Sequence, residues 1–420
     1  MRRNILLLFL LSLFVMPARS QEAPTPAQGS PFSQAKFVPD ISLILDCSYL
    51  HRNISDEQNS GLFLPGYVVS REDALPRESF NLNYAEITFY SVVDPYFELF
   101  AVCHLSEEHF HLEEAYWLTK KLPAGLQLKA GKFLSSFGRI NELHTHYWDF
   151  ADRPLVHQAM FGEEGLNEIG ARITWVAPTE IYLLAGGEML MGANEASFGR
   201  TGFPLPQEKR SISSVKGPGL FVGYLESSVD IGDASVLVRL SGAHGTTRSE
   251  EDFSSGAPMG RAFAGSTTVL GGALTVKHTL DAIRYISLQS EYLWRHTDGT
   301  SYFNDFTQQV QQSALDNRQS GLYAQAVMKF DLRVRGGLRF DLLQGNEVTE
   351  NGQRRDLPEN LPRFSGMIEF NPTEFSRVRL QYNYDLSRYS ETNQQLNRMT
   401  VHELSLQVNL AIGAHGAHSF

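Results

Sequence analysis

Residues 403–412 read Glu403-Leu404-Ser405-Leu406-Gln407-Val408-Asn409-Leu410-Ala411-Ile412, with apolar side chains at every even position and polar or small ones between them. A strand places successive side chains on opposite faces, so this stretch has one greasy face and one wet face. The same period of two recurs at 332–342. There Leu332, Val334, Leu338, Phe340 and Leu342 share one parity, and Arg333, Arg335, Arg339 and Asp341 the other. At 376–388, Val378, Leu380, Tyr382, Tyr384 and Leu386 oppose Arg377, Arg379, Gln381, Asn383 and Asp385.

Working outward from these stretches, alternation and turn residues predict sixteen strands, near 40–51, 80–92, 96–105, 111–120, 125–132, 169–176, 181–189, 219–229, 234–243, 267–279, 283–296, 320–330, 332–342, 362–371, 376–388 and 400–412. Links after even-numbered strands are tight, such as Asp94-Pro95 and Asp331. Those after odd-numbered strands are long, as at 52–79, 133–168, 190–218, 244–266 and 297–319. Short turns alternating with long loops, and an even strand number, are expected of a transmembrane antiparallel β-barrel, here of about 16 strands with an inward-folding third external loop. Soluble sandwiches and propellers also contain short, evenly spaced strands. Charge confined to one parity, strand after strand, argues against them.

The ends agree with that class. Arg2 and Arg3, an apolar run from Ile5 to Met16, and small residues Ala18 and Ser20 before Gln21 read as a signal peptide over 1–20. Residues 21–38 are proline-bearing and aperiodic, a disordered lead-in, which leaves 39–420 for the barrel. Removing Arg2, Arg3 and Arg19 from 36 basic residues leaves 33 against 47 acidic ones and moves the formal charge from −11 to −14. So acidic a chain excludes nucleic acid as a natural partner. Cys47 and Cys103 fall on strands one and three, both on the lipid-facing parity. A whole strand separates them by roughly 9 to 10 Å, so free thiols are expected.

An arginine facing lipid at the midplane costs about 2 to 4 kcal/mol, so the charged parity must face a wet lumen. The candidate pore-lining residues are Arg172, Arg239, Lys277, Arg333, Arg335, Arg339, Asp341, Arg377, Arg379, Glu291 and Glu369, with Glu86, Glu98, Glu188, Glu226 and Lys329 on the same face. Opposite charges on neighbouring strands can simply pair and fill the interior, or they can bias which ions enter. Arg333, Arg335, Arg339, Arg377 and Arg379 form the strongest candidate for an anion-favouring patch.

The connection from Lys132 to Gly170 holds the most unusual chemistry and is neither Gly/Ser-rich nor proline-rich. A loop of that kind packs against something, and here it is expected to fold into the barrel and narrow it. Lys132, Phe137, Arg139, Glu142, Asp149, Asp152 and Arg153 are its candidate constriction residues. His144 and His146 with His157, or His104 with His109 and His111, offer an alternative as metal ligands, although neither spacing matches a specific ligand pattern. His415 and His418 make at most an incomplete site. No Gly-x-Ser-x-Gly or comparable nucleophile motif occurs, so no enzymatic activity and no cofactor are expected.

The run Leu-Gln-Leu-Lys-Ala-Gly-Lys-Phe-Leu-Ser-Ser-Phe-Gly-Arg at 126–139, followed by Asp-Phe-Ala-Asp-Arg-Pro-Leu at 149–155 and Phe-Gly-Glu-Glu-Gly-Leu-Asn at 161–167, resembles the phosphate-selective porin O and P family. The resemblance implies an outer-membrane channel, puts Lys132, Phe133, Phe137, Gly138 and Arg139 at the mouth of the constriction loop, and implies a homotrimer. The first half of the chain lacks a basic ladder, so phosphate selectivity does not carry over. The ending at 414–420 and the run His104-Leu-Ser-Glu-Glu also resemble short outer-membrane proteins labelled zinc-regulated TonB-dependent receptors. After sixteen strands no residues remain for the plug of a true receptor of that class. The expectation is therefore a bacterial outer-membrane porin for passive diffusion of small hydrophilic solutes or ions. The competing expectation is a metal-binding or receptor-like uptake barrel without a plug.

Overall fold

The computed structural model describes residues 39–413 apart from 68–75, 107–109, 206–208, 256–258, 306–308 and 394. The expected signal peptide, the lead-in and the tail histidines His415 and His418 lie outside the described residues, as does His109.

Sixteen strands close into one barrel: β1 (Asp40–Arg52), β2 (Ser79–Val92), β3 (Phe97–Leu105), β4 (Phe110–Thr119), β5 (Leu126–Leu134), β6 (Asn167–Val176), β7 (Tyr182–Leu190), β8 (Leu220–Ile231), β9 (Ala234–Glu251), β10 (Arg261–Thr279), β11 (Tyr285–Asn304), β12 (Val310–Lys329), β13 (Val334–Glu350), β14 (Leu361–Thr373), β15 (Ser376–Thr392) and β16 (Gln395–Gly413). Each pairs antiparallel with its neighbours in sequence, and β16 returns to β1 with Ser42 opposite Gly413 and Arg52 opposite Glu403. The stretch that opens the sequence reading is thus the seam. Among the described residues, closure leaves the sixteen barrel strands without an edge strand, the condition for crossing hydrocarbon. No described helix is long and apolar enough to cross a membrane.

The side chains are distributed inside out. Leu338 is 71% exposed and Ile412 64%, while Arg379 and Glu369 are each 1% exposed. The outward parity of every strand forms an apolar belt, and Tyr96, Trp117, Trp175, Tyr182, Phe330 and Phe375 ring it beside the short turns. Amphipathic rings sit well at that depth, where one end meets lipid and the other water.

Two expectations need correction. Residues 244–251, 261–266, 297–304 and 310–319, expected in open loops, are strand: β9 to β13 continue as paired strands, and β11 and β12 reach 20 residues each, about twice the 9 to 11 that a bilayer requires. Beyond the lipid both faces are polar, as in Thr246-Thr247-Arg248-Ser249-Glu250, so the period of two vanishes although pairing persists. Arg333 lies in the β12–β13 turn and is exposed, because Asp331 accepts from the Arg333 and Val334 amides and ends the strand there. It does not line the lumen.

Candidate functional site

Residues 135–166, between β5 and β6, fold into the lumen and are held from nearly every side. The chain enters through Ser135 and Ser136, whose hydroxyl and amide donate to Glu188 on β7. It then turns at Phe137-Gly138. Gly138 has φ +69°, and a Cβ there would lie 2.3 Å from Glu291 Oε2, so only glycine lets the loop come this close to β11. Glu291, a buried carboxylate, accepts from the amides of Arg139 (2.8 Å) and Ile140 (2.9 Å) and from the Tyr323 hydroxyl (2.7 Å). Arg239 on β9 donates to the Gly138 carbonyl (2.6 Å) while pairing with Glu142 (2.9 Å) and with Glu226 on β8.

The second half of the loop meets the opposite wall. Asp149 pairs with Arg335 (3.1 Å), which also pairs with Glu369 (2.8 Å). Asp152 lies between Arg339 (2.8 Å) and Arg363 (2.9 Å) and accepts from the Gln381 amide. Burial pushes the Asp152 carboxyl up, but the two guanidiniums and Gln381 outweigh it and hold the group below the usual aspartate range. Asp341 accepts from the Leu155 amide (2.8 Å) and pairs with Arg339. Arg377 and Arg379 donate to the carbonyls of His146 (2.9 Å) and Trp148 (2.8 Å). A short helix, α1 (Leu155–Phe161), is buried along its whole length, and Arg295 donates to the Ala159, Ala196 and Ser197 oxygens around it. Loop residues Phe137, Ile140, Trp148 and Leu155 form a dry cluster with Leu293, Tyr323 and Leu343 of the wall.

On the remaining side the loop meets β2 to β4. A bulge in the β3–β4 pairing shifts the register between Val102 and Cys103, so Glu113 and Glu114 both turn inward although they are consecutive. His144 reaches them with Nδ1 3.0 Å from Glu113 and Nε2 2.8 Å from Glu114. Burial lowers the affinity of His144 for a proton, and these two carboxylates more than reverse the effect, holding it well above the ordinary imidazole range. His104 stands between Glu86 (3.1 Å) and Glu113 (2.9 Å), and His146 Nδ1 is 3.1 Å from Glu86.

Arg172, Arg239, Lys277, Arg335, Arg339, Asp341, Arg377, Arg379, Glu291 and Glu369 all occupy inward positions of their strands, as does Glu188. Most of the arginines are ion-paired or bound to loop carbonyls, so the expected anion-favouring patch is electrically compensated. In the loop, Phe137, Arg139, Glu142, Asp149, Asp152 and Arg153 are in the lumen. Lys132 is not: it lies on β5 with the outward parity of Leu128, and its Nζ donates to the Leu112 carbonyl (2.7 Å) beside His111. The histidines regroup as well. His157 lies against Glu291 (3.4 Å) rather than with His144 and His146. His104 joins His144 at Glu113, while His111, directly opposite His104 in the β3–β4 register, lies beside Lys132. Parity alone could have found Arg295 and Arg363, which share it with Glu291 and Glu369. The Glu113–Glu114 pair is hidden because a bulge breaks the period.

The architecture matches solved outer-membrane porins at low sequence identity. An anion-selective porin from Comamonas acidovorans superposes with a TM-score of 0.51 at 10% identity, covering 89% of this chain and 99% of that one. The outer-membrane channel DcaP of Acinetobacter baumannii gives 0.50 at 10% identity, covering 90% and 99%. These likenesses show the porin-like barrel fold. No protein-family profile matches the chain. A protein of Aquifex aeolicus (strain VF5), described only as uncharacterized, is 45% identical over 398 residues, covering 94% of this chain and 82% of that protein. The chain therefore belongs to the same family as this Aquifex aeolicus protein, a family whose fold is the sixteen-stranded porin-like barrel described above.

Proposed function

We propose that the protein is a bacterial outer-membrane channel for passive diffusion of small hydrophilic solutes or ions, with residues 135–166 setting the size limit. The observation that carries this reading is a charged, inward-facing wall whose polar groups are engaged by one loop folded across the lumen. Sixteen strands enclose enough room for both a loop and an aqueous passage. The export signal at 1–20 and the lead-in at 21–38 belong to this proposal, as does a homotrimer, checked by crosslinking in detergent. The resemblance to phosphate-selective porins is not extended to selectivity, because Glu369, Asp341, Asp149 and Asp152 offset the lumenal arginines. Weak charge preference follows, and nothing in the mechanism calls for catalysis.

A second reading is favoured by the dry cluster between loop and wall: the loop shuts the lumen until it is released. Single-channel recording in planar bilayers separates the two. Ohmic steps in the wild type, with a reversal potential near zero across a KCl gradient, support the open channel. Current only after the loop is released supports the gated one. Silence in both the wild type and a loop-released variant refutes channel function.

A further inference from the structure

The His/Glu cluster between the loop and the β2–β4 wall does more than the channel reading requires. Glu86 on β2, His104 on β3, Glu113 on β4 and His144 in the loop each offer one ligand atom, and all four atoms lie within 4.8 Å of one another. The separations are 3.1 Å from His104 Nε2 to Glu86 Oε2, 2.9 Å to Glu113 Oε2, and 3.9 and 3.0 Å from His144 Nδ1 to the same two oxygens. Four ligands at zinc bond lengths of about 2.0 to 2.1 Å form a tetrahedron whose edges are about 3.3 Å; these four separations depart from that by about 0.2 to 0.6 Å, and the Glu86–Glu113 and His104–His144 separations lie within 4.8 Å.

We propose that Glu86, His104, Glu113 and His144 bind a divalent transition metal, zinc being the best match, and that the ion rivets the loop to the barrel wall. Two imidazoles and two carboxylates form a neutral site around a dication and suit zinc over magnesium or calcium, which prefer six or more oxygens. The surroundings are those of a built site. The second nitrogen of His144 faces Glu114 (2.8 Å), which fixes the tautomer that leaves Nδ1 for the metal, and Tyr84 stacks on the His104 ring at 5.0 Å. A cavity of about 220 Å³, lined by Ser42, Thr88, Phe100 and Tyr147, reaches Glu86 and His144 and gives an ion a way in. Three ligands come from the β2–β4 wall and one from the loop, so the bond is a crosslink between the loop and that wall.

The site is tested on the folded barrel in detergent, independently of whether it conducts. Dialysis against Zn²⁺ followed by elemental analysis should give one zinc per chain. His104→Ala and Glu113→Gln should each weaken binding at least tenfold, and Glu114→Gln, at a carboxylate that meets the outer imidazole nitrogen and also accepts from the Leu134 amide, about 10- to 100-fold. His296→Ala, which removes an imidazole paired with Asp316 on another part of the wall, should leave binding unchanged. Folding of each variant is checked by heat-modifiable gel migration. Co²⁺ added to the wild type provides a readout that needs no substitution: intense visible bands of a tetrahedral ion are expected. Absence of stoichiometric zinc, a weak octahedral cobalt spectrum, or full zinc binding by folded His104→Ala and Glu113→Gln overturns the proposal.

Discussion

Replacing Glu291 with glutamine should release the loop from the far wall. The carboxylate accepts from the Arg139 and Ile140 amides and from the Tyr323 hydroxyl in a site that is 1% exposed. Glutamine has nearly the same shape, but one of its two arms becomes a donor, so one of the two loop amides faces an N–H instead of an oxygen. A buried donor left without an acceptor costs about 1 to 3 kcal/mol, and reducing the surviving bonds from charged to neutral costs about 1 kcal/mol more. With 1.4 kcal/mol per factor of ten, the ratio of docked to released loop should fall roughly a hundredfold. Trypsin reads that ratio directly. Arg139 is the one cleavable position in residues 135–166, since Pro154 protects the bond after Arg153. Cleavage after Arg139 should accelerate by about the same factor in Glu291→Gln, with noisier and larger single-channel currents. Unchanged cleavage and unchanged current in a folded variant would refute the claim that Glu291 holds the loop.

Other consequences can be checked separately. Gly138→Ala should reproduce the proteolytic phenotype of Glu291→Gln, because its Cβ would occupy the space of the Glu291 oxygen at a positive φ; a protected loop in this variant would contradict the close approach. Asp152 has its carboxyl held down in the folded state, so its stabilisation of the loop is complete above the unfolded value of about 3.9 and is lost as pH falls below it. Current should therefore rise in acid, and Asp152→Asn, which still faces Arg339, Arg363 and Gln381, should show raised current already at neutral pH; an identical acid step in this variant would assign the transition elsewhere. Leu338→Arg should cost about 2 to 4 kcal/mol in folding titrations into bilayers; a neutral result would mean that this position does not meet lipid. Cys47 and Cys103 should both titrate as thiols in the unfolded protein without reductant.

The barrel is legible in the sequence because alternation is a local signal and hydrocarbon enforces it. It fails where the enforcement ends. Arg333 continues the parity of β13 into a turn that Asp331 has already closed, and the strand extensions past the lipid lose their pattern while keeping their pairing. The bulge beside Cys103 inverts the parity that would have placed Glu113. The loop could be recognised as packed from its composition. Its partners could not: Asp152 meets Arg339 and Trp148 meets Arg379 across some two hundred residues of chain, and only the closed cylinder brings them together. For the same reason His144 joins His104 across β3 and β4, whereas His157, closer in sequence, turns to Glu291.

The most direct test of the central claim, that residues 135–166 fold inward and limit passage, is to replace residues 142–160 with a short Gly/Ser linker and compare single-channel conductance with the wild type in the same bilayer. A severalfold larger conductance, with heat-modifiable migration retained, is the predicted result. Equal conductance from the two proteins, or none from either, would contradict it.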